Sequence, residues 1–141
     1  NPEFWAALKT GASVANVRIW VGLTPGSHPP DADAYTAEHC AIRFSTVAGD
    51  GGWRGSVGDG SAESLTPSAG IAAVAVNTRY LIRITLDVSA GTATFEVNGA
   101  TATLTANLPP AAQGLGWSVR IYTRTTAARD LLVDRLGVHH G

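Results

Sequence analysis

Period-two alternation runs through most of this chain. In RYLIRITLDV, Tyr80, Ile82, Ile84, Leu86 and Val88 share one side of an extended segment, and Leu81, Arg83, Thr85 and Asp87 share the other. VRIWVGL sets Val17, Ile19, Val21 and Leu23 against Arg18, Trp20 and Gly22. CAIRFST sets Cys40, Ile42 and Phe44 against Ala41, Arg43 and Ser45. WSVRIYTR sets Trp117, Val119 and Ile121 against Ser118, Arg120, Tyr122 and Arg124. In DLLVDRLGV, Leu132, Leu136 and Val138 read as one phase of a last strand. Side chains alternate across a strand, so apolar residues at every second position mark half-buried antiparallel strands.

Turn residues separate these runs. Asn98-Gly99 suits a type I′ turn, which needs positive φ at both central residues, and predicts that Thr92–Val97 folds back onto Ala100–Thr105. Ser89-Ala90-Gly91, Gly49–Gly52 and Gly58–Gly60 are further turns. The stretch from Thr24 to His39 carries three prolines, which exclude a central strand, and leaves room for one helical turn near Ala32–His39. PEFWAALK reads as a short helix or arm within residues 1–13, with Pro2 in its first turn. The remainder makes about ten short strands, which predicts an all-β, antiparallel two-sheet jelly-roll sandwich over residues 1–141.

Composition narrows the picture. With 141 residues, 45% hydrophobic and 15% charged, the chain can bury a core as one domain. A net charge of -1 gives no electrostatic case for nucleic acid or an anionic membrane. No apolar run approaches the roughly 18–20 residues of a membrane span. The chain opens Asn1-Pro2-Glu3-Phe4 and contains no methionine, so we expect a trimmed or processed chain or a fragment of something longer. The lone Cys40 excludes an intrachain disulfide framework and a multi-cysteine zinc site. It lies in an apolar phase as a buried, inert thiol, and His39 points to the opposite side of the strand.

Candidate chemistry is sparse. Two carboxylates about 5–10 Å apart are needed to hydrolyse a glycoside. Glu96 and Asp87 each stand alone on their strands. Asp31, Asp33, Glu38 and His39 begin a set of hard-cation ligands without a spacing that completes it, so they read as a solvated acidic loop. We expect neither metal nor cofactor. The outward phases hold Arg18, Trp20, Arg43, Arg83, Arg120, Tyr122 and Arg124, which fall on one exposed face if their strands share a sheet. Three readings of that face stay open: solvated with ordinary cross-strand pairing, a subunit interface, or a ligand surface. Trp53 and Arg54, set between glycine turns, are either a core-edge anchor or a glycan-stacking loop.

The order VRIWVGLT, CAIRFST, GWRGSVGDGSAESLT, RYLIRITLD, GTATFEVNGATAT, LGWSVRIYTR and ARDLLVDRLGV resembles the concanavalin A-like lectin/glucanase jelly roll. The form it resembles is the one used in bacteriophage tail-fibre and other virion proteins, and the match covers roughly residues 14–139. Glucanases of this architecture carry acids in an E-x-D-x-(x)-E cluster, and no strand here has that spacing. The resemblance therefore implies a non-enzymatic virion module, a tail-fibre or capsid-surface decoration domain located on the particle. Its implied partners are other virion proteins, copies of itself in a trimer or array, and a host surface glycan. The alternative is a soluble carbohydrate-binding lectin domain of a bacterial or phage enzyme.

Overall fold

The computed structural model describes residues 1–26, 29–110 and 114–140. These form ten strands and, among the described residues, no helix. In chain order they are β1 (Pro2–Thr10), β2 (Val17–Pro25), β3 (His39–Ser45), β4 (Arg54–Gly58), β5 (Glu63–Leu65), β6 (Arg79–Asp87), β7 (Thr92–Val97), β8 (Ala100–Leu104), β9 (Leu115–Thr123) and β10 (Leu131–His140). Two five-stranded antiparallel sheets result, one ordered β10-β1-β6-β7-β8 and the other β5-β4-β3-β2-β9. This is the jelly-roll sandwich that the alternation predicts.

The inward phases meet between the sheets. Phe4, Leu8, Ile82, Ile84 and Phe95 pack from the first sheet against Ile19, Val21, Leu23, Ile42 and Val57 from the second. Burying each large apolar side chain contributes about 1.5–3 kcal/mol, which is the main force holding the layers together. The β7–β8 hairpin turns at Asn98 (φ 49°) and Gly99 (φ 87°), as a type I′ turn requires. Asn98 Oδ1 also accepts the Leu81 N–H at 2.7 Å, which ties the turn to β6. Cys40 is fully buried in the core, and burial pushes its thiol pKa up.

Three expectations are corrected. The segment read as a helix or arm is strand β1, bonded on both sides to β6 and β10. Its apolar run hides the period of two, but Phe4, Ala6, Leu8 and Thr10 point inward while Trp5 and Lys9 point out. The stretch 32–38 forms bends and irregular chain with no helical turn. In β10, Ala7 faces Arg135 while Leu8 faces Val133, so Asp134 is bulged out. The bulge reverses the strand's phase, leaving Leu132 61% exposed while Leu136 and Val138 reach the core. Trp117 does lie on the apolar side of β9, but as a residue of an edge strand it is 60% exposed.

Candidate functional site

The outer side of the β5-β4-β3-β2-β9 sheet collects most of the chain's polar chemistry. Residues directly opposite one another share a side, so register alone defines rows across it. One row runs Arg54, Arg43, Trp20, Arg120, and the next runs Ser45, Arg18, Tyr122. A third runs Ser56, Ala41, Gly22, Ser118, and a fourth places Glu63, Gly58 and His39 together. The register places four other sequence-predicted residues on this side with Arg18: Trp20, Arg43, Arg120 and Tyr122. Arg124 follows just beyond β9.

Most of this face is not exposed, because the chain between β2 and β3 folds over it. Arg18, Trp20, Arg43 and His39 are all buried. Tyr35 sits on Trp20 with ring centroids 5.8 Å apart and on His39 at 4.7 Å. The Tyr122 hydroxyl donates to the Pro29 carbonyl. Only the β9 margin is open, where Arg120 is exposed without an ion-pair partner among the described residues and Tyr122 is half-buried beside it.

Each buried cation has its counter-charge. The Arg18 guanidinium binds Asp31 and Asp33, with Nε 3.1 Å from Asp33 Oδ1, and Arg124 reaches Asp31 at 2.6 Å. Burial works against ionising Asp33, but hydrogen bonds from Arg18 and Ser45, with the charges of Arg18 and Arg43, outweigh it and hold its carboxyl below the ordinary range. The expected solvated acidic loop is thus a clamp on arginine. Arg43 grips Asp50 with two hydrogen bonds of 3.1 and 2.9 Å and lies 5.8 Å from the centroid of Trp20. Asp50 also accepts Arg54 at 3.1 Å and the Ser45 N–H at 2.8 Å.

His39 is the most constrained titratable group. A Cβ on Gly58 would come within 2.7 Å of its Nδ1, so the bare glycine makes space for the ring. The Nδ1–H donates to the Ala37 carbonyl at 2.7 Å, because a carbonyl can only accept. Nε2 meets Ser56 Oγ at 2.7 Å, and Ser56 Oγ is also 2.7 Å from Glu63 Oε1. Burial, helped by the Arg43 charge and opposed by the Ala37 carbonyl, pushes the imidazole pKa down to about 4. A neutral ring with its proton on Nδ1 and one serine proton cannot fill both remaining contacts. The Ser56 hydroxyl is therefore shared between Nε2 and Glu63.

Two predicted positions lie elsewhere. Arg83 is on the opposite sheet, bonded to Glu3 at 3.0 and 2.9 Å, so the seven-residue face is not one surface. Trp53 is fully buried in the core beside Phe44 and Tyr80, which excludes a glycan-stacking role, and its neighbour Arg54 joins the Asp50 network. Sequence reasoning left out Tyr35, Ser56 and Glu63, and weighed His39 only as part of a cation-ligand set and as a neighbour of Cys40. His39 was legible, since it shares a phase with Ala41, Arg43 and Ser45; Tyr35 has no periodic neighbour to betray it.

No family model matches the chain, and no curated protein does. Solved structures do. Alginate lyase PA1167 from Pseudomonas aeruginosa matches with a TM-score of 0.66 at 18% identity, over 99% of this chain and 64% of that one. Alginate lyase A1-II′, a member of polysaccharide lyase family 7, matches at TM-score 0.58 and 17% identity, over 99% and 61%. A variant of A1-II′ with one histidine and one tyrosine replaced, in complex with the substrate GGMG, matches at TM-score 0.57 and 15% identity, over 99% and 60%. This chain thus spans less than two thirds of the length of these lyases. At such identity the likeness is one of fold, the concanavalin A-like jelly roll of the alginate lyases. It corrects the expectation of a non-enzymatic virion module, because the solved counterparts named here are polysaccharide-cleaving enzymes and not virion proteins.

Proposed function

We propose that this chain is the jelly-roll domain of an enzyme acting on an acidic polysaccharide, with the β9 margin of the β5-β4-β3-β2-β9 sheet as its substrate side. The observation that carries this reading is the meeting of His39, Tyr122 and a set of arginines on one sheet face, with Tyr35 packed on it from the covering segment, in a fold shared over 99% of the chain with alginate lyases. Eliminative cleavage of a uronate needs a cation to neutralise the carboxylate, a base for the adjacent C–H proton and an acid for the leaving oxygen. Arg120 supplies an accessible guanidinium, whose planar fork fits a carboxylate. Tyr122, two residues along on the same side, supplies a phenol that exchanges its Pro29 contact for substrate. His39 lies deeper, under the 29–38 segment, whose Tyr35 packs on it with ring centroids 4.7 Å apart.

The test is incubation of the folded chain with alginate and with other polyuronates, following the ultraviolet absorbance of the unsaturated product. Turnover that weakens mainly through a higher KM in Arg120→Ala supports the reading. Folded protein that yields no unsaturated product from any polyuronate overturns it. A second reading, a carbohydrate-binding domain of a larger enzyme, is favoured by one observation: the His39 and Tyr122 polar atoms are already engaged. Binding without turnover selects it.

A further inference from the structure

The other sheet carries a depression that the proposed reaction does not use. On its outer side one row runs Glu96, Arg83, Trp5, Gly137 and the next runs Leu81, Ala7, Arg135. A Cβ on Gly137 would fall 2.2–2.4 Å from three consecutive atoms of the Trp5 indole. The ring therefore lies face-down on the bare glycine, with its opposite face toward solvent, and Trp5 is 41% exposed. Beside it opens a hollow of about 360 Å³, within the range of small-ligand sites. Its walls are Trp5, Leu81, Arg83, Glu96 and Arg135, over a floor that includes the small Ala7.

We propose that this hollow is a second saccharide site, which seats a uronate ring of an acidic polysaccharide on the indole with its carboxylate on Arg135. The choice of sugar class rests on the function proposed above; the site itself does not. The ring faces of a pyranose present C–H groups, which suit a flat aromatic platform, and an indole fixed by its own floor loses little entropy on binding. The charges are mixed: Glu96 lines the hollow from β7 and Arg135 from β10, with two strands between them, so a carboxylate is favoured at the Arg135 end. Arg83 is held by Glu3 at 2.9 Å and faces Glu96 in register, whereas Arg135 has no ion-pair partner among the described residues. The cation left over in this groove is thus the one beside the indole. A second hollow of about 240 Å³, lined by Arg83, Thr85, Thr94 and Glu96, continues the groove with hydroxyl groups. This gives a chain of sugars room to extend.

The experiment is calorimetric titration of the full chain with alginate oligosaccharides, with an uncharged glucan oligosaccharide as the control. Trp5→Ala and Arg135→Gln are each expected to weaken alginate binding at this site at least tenfold, and Trp5→Tyr to retain it. The glucan should bind at least tenfold more weakly than alginate to the wild type. If both sites exist, the wild type takes two equivalents, Trp5→Ala keeps the β9 site, and an Arg120→Ala/Arg124→Ala variant keeps this one. If only the function proposed above fails, one equivalent remains and disappears in Trp5→Ala. Alginate affinity and stoichiometry unchanged in both Trp5→Ala and Arg135→Gln overturn the proposal. So does light scattering that shows a dimer lost in Trp5→Ala, because a second copy then occupies the groove.

Discussion

The two outer faces of this sandwich have similar ingredients and opposite fates. Both present arginines and a tryptophan in the outward phase of alternating strands. On the β5-β4-β3-β2-β9 sheet, Trp20, Arg18 and Arg43 are sealed beneath the chain's own 29–38 segment, and the buried guanidinia are matched by Asp31, Asp33 and Asp50. On the other sheet, Trp5 and Arg83 stay at the surface, and Arg83 makes only an exposed pair with Glu3. Alternation reports that a residue leaves the core; it does not report what then covers it. A covering segment without periodicity, anchored by aspartates, turns one such face into a second polar interior. That cover already buries Arg18, Trp20 and Arg43, three of the large side chains expected to face a partner.

The sharpest way to break the contrast is charge removal. Asp50→Ala strands the buried Arg43 cation and is expected to cost about 3–5 kcal/mol, read as a large fall in melting temperature. Glu3→Ala on the opposite face should leave the melting temperature unchanged within error, since an exposed pair contributes little. Equal losses in the two variants would erase the distinction.

Acidification separates the faces next. Folding holds His39 neutral, so the unfolded chain, with an ordinary histidine pKa near 6.5, binds the proton first. Stability is complete above that value and declines as pH falls from about 6.5 to about 4, by about 3 kcal/mol. The depressed carboxyls, including Glu3 on the other sheet, begin to weaken the fold as pH falls through their ordinary values, 4.5 for Glu3 and 3.8 for Asp33. His39→Gln should flatten the pH 4–6.5 slope in chemical denaturation; an unaltered slope would remove His39 as its source.

A smaller effect probes the turn that frames the open face. Asn98→Ala forces a β-carbon without a polar side chain into a left-handed conformation and removes the acceptor for the Leu81 N–H. We expect a loss of about 1–2 kcal/mol, with the hairpin amides exchanging faster than the rest of the sheet.

Much of the fold was legible because its signals are local. The strands around Val17–Leu23, Cys40–Phe44 and Tyr80–Val97 alternate cleanly, and Asn98-Gly99 names its own turn. Two features were hidden for physical reasons. FWAAL is apolar at every position, so strand β1 left no period to count. The bulge at Asp134 reverses phase midway through β10, and no residue type announces it. The site was half legible: Arg18, Trp20, Arg43, Arg120 and Tyr122 emerge from alternation and share a sheet, while Tyr35, Asp31 and Asp33 come from irregular chain whose docking is decided only by tertiary contacts. Arg83 was assigned to their face because alternation carries no information about which sheet a strand joins.

If the β9 margin acts on a uronate polymer as proposed, the proton is transferred through the Tyr122 hydroxyl. The direct measurement is kcat on alginate for Tyr122→Phe against the wild-type chain, with near-ultraviolet circular dichroism confirming the same fold. Loss of this one hydroxyl should lower kcat by about 10²–10⁴-fold. Equal rates in the two proteins would contradict the claim.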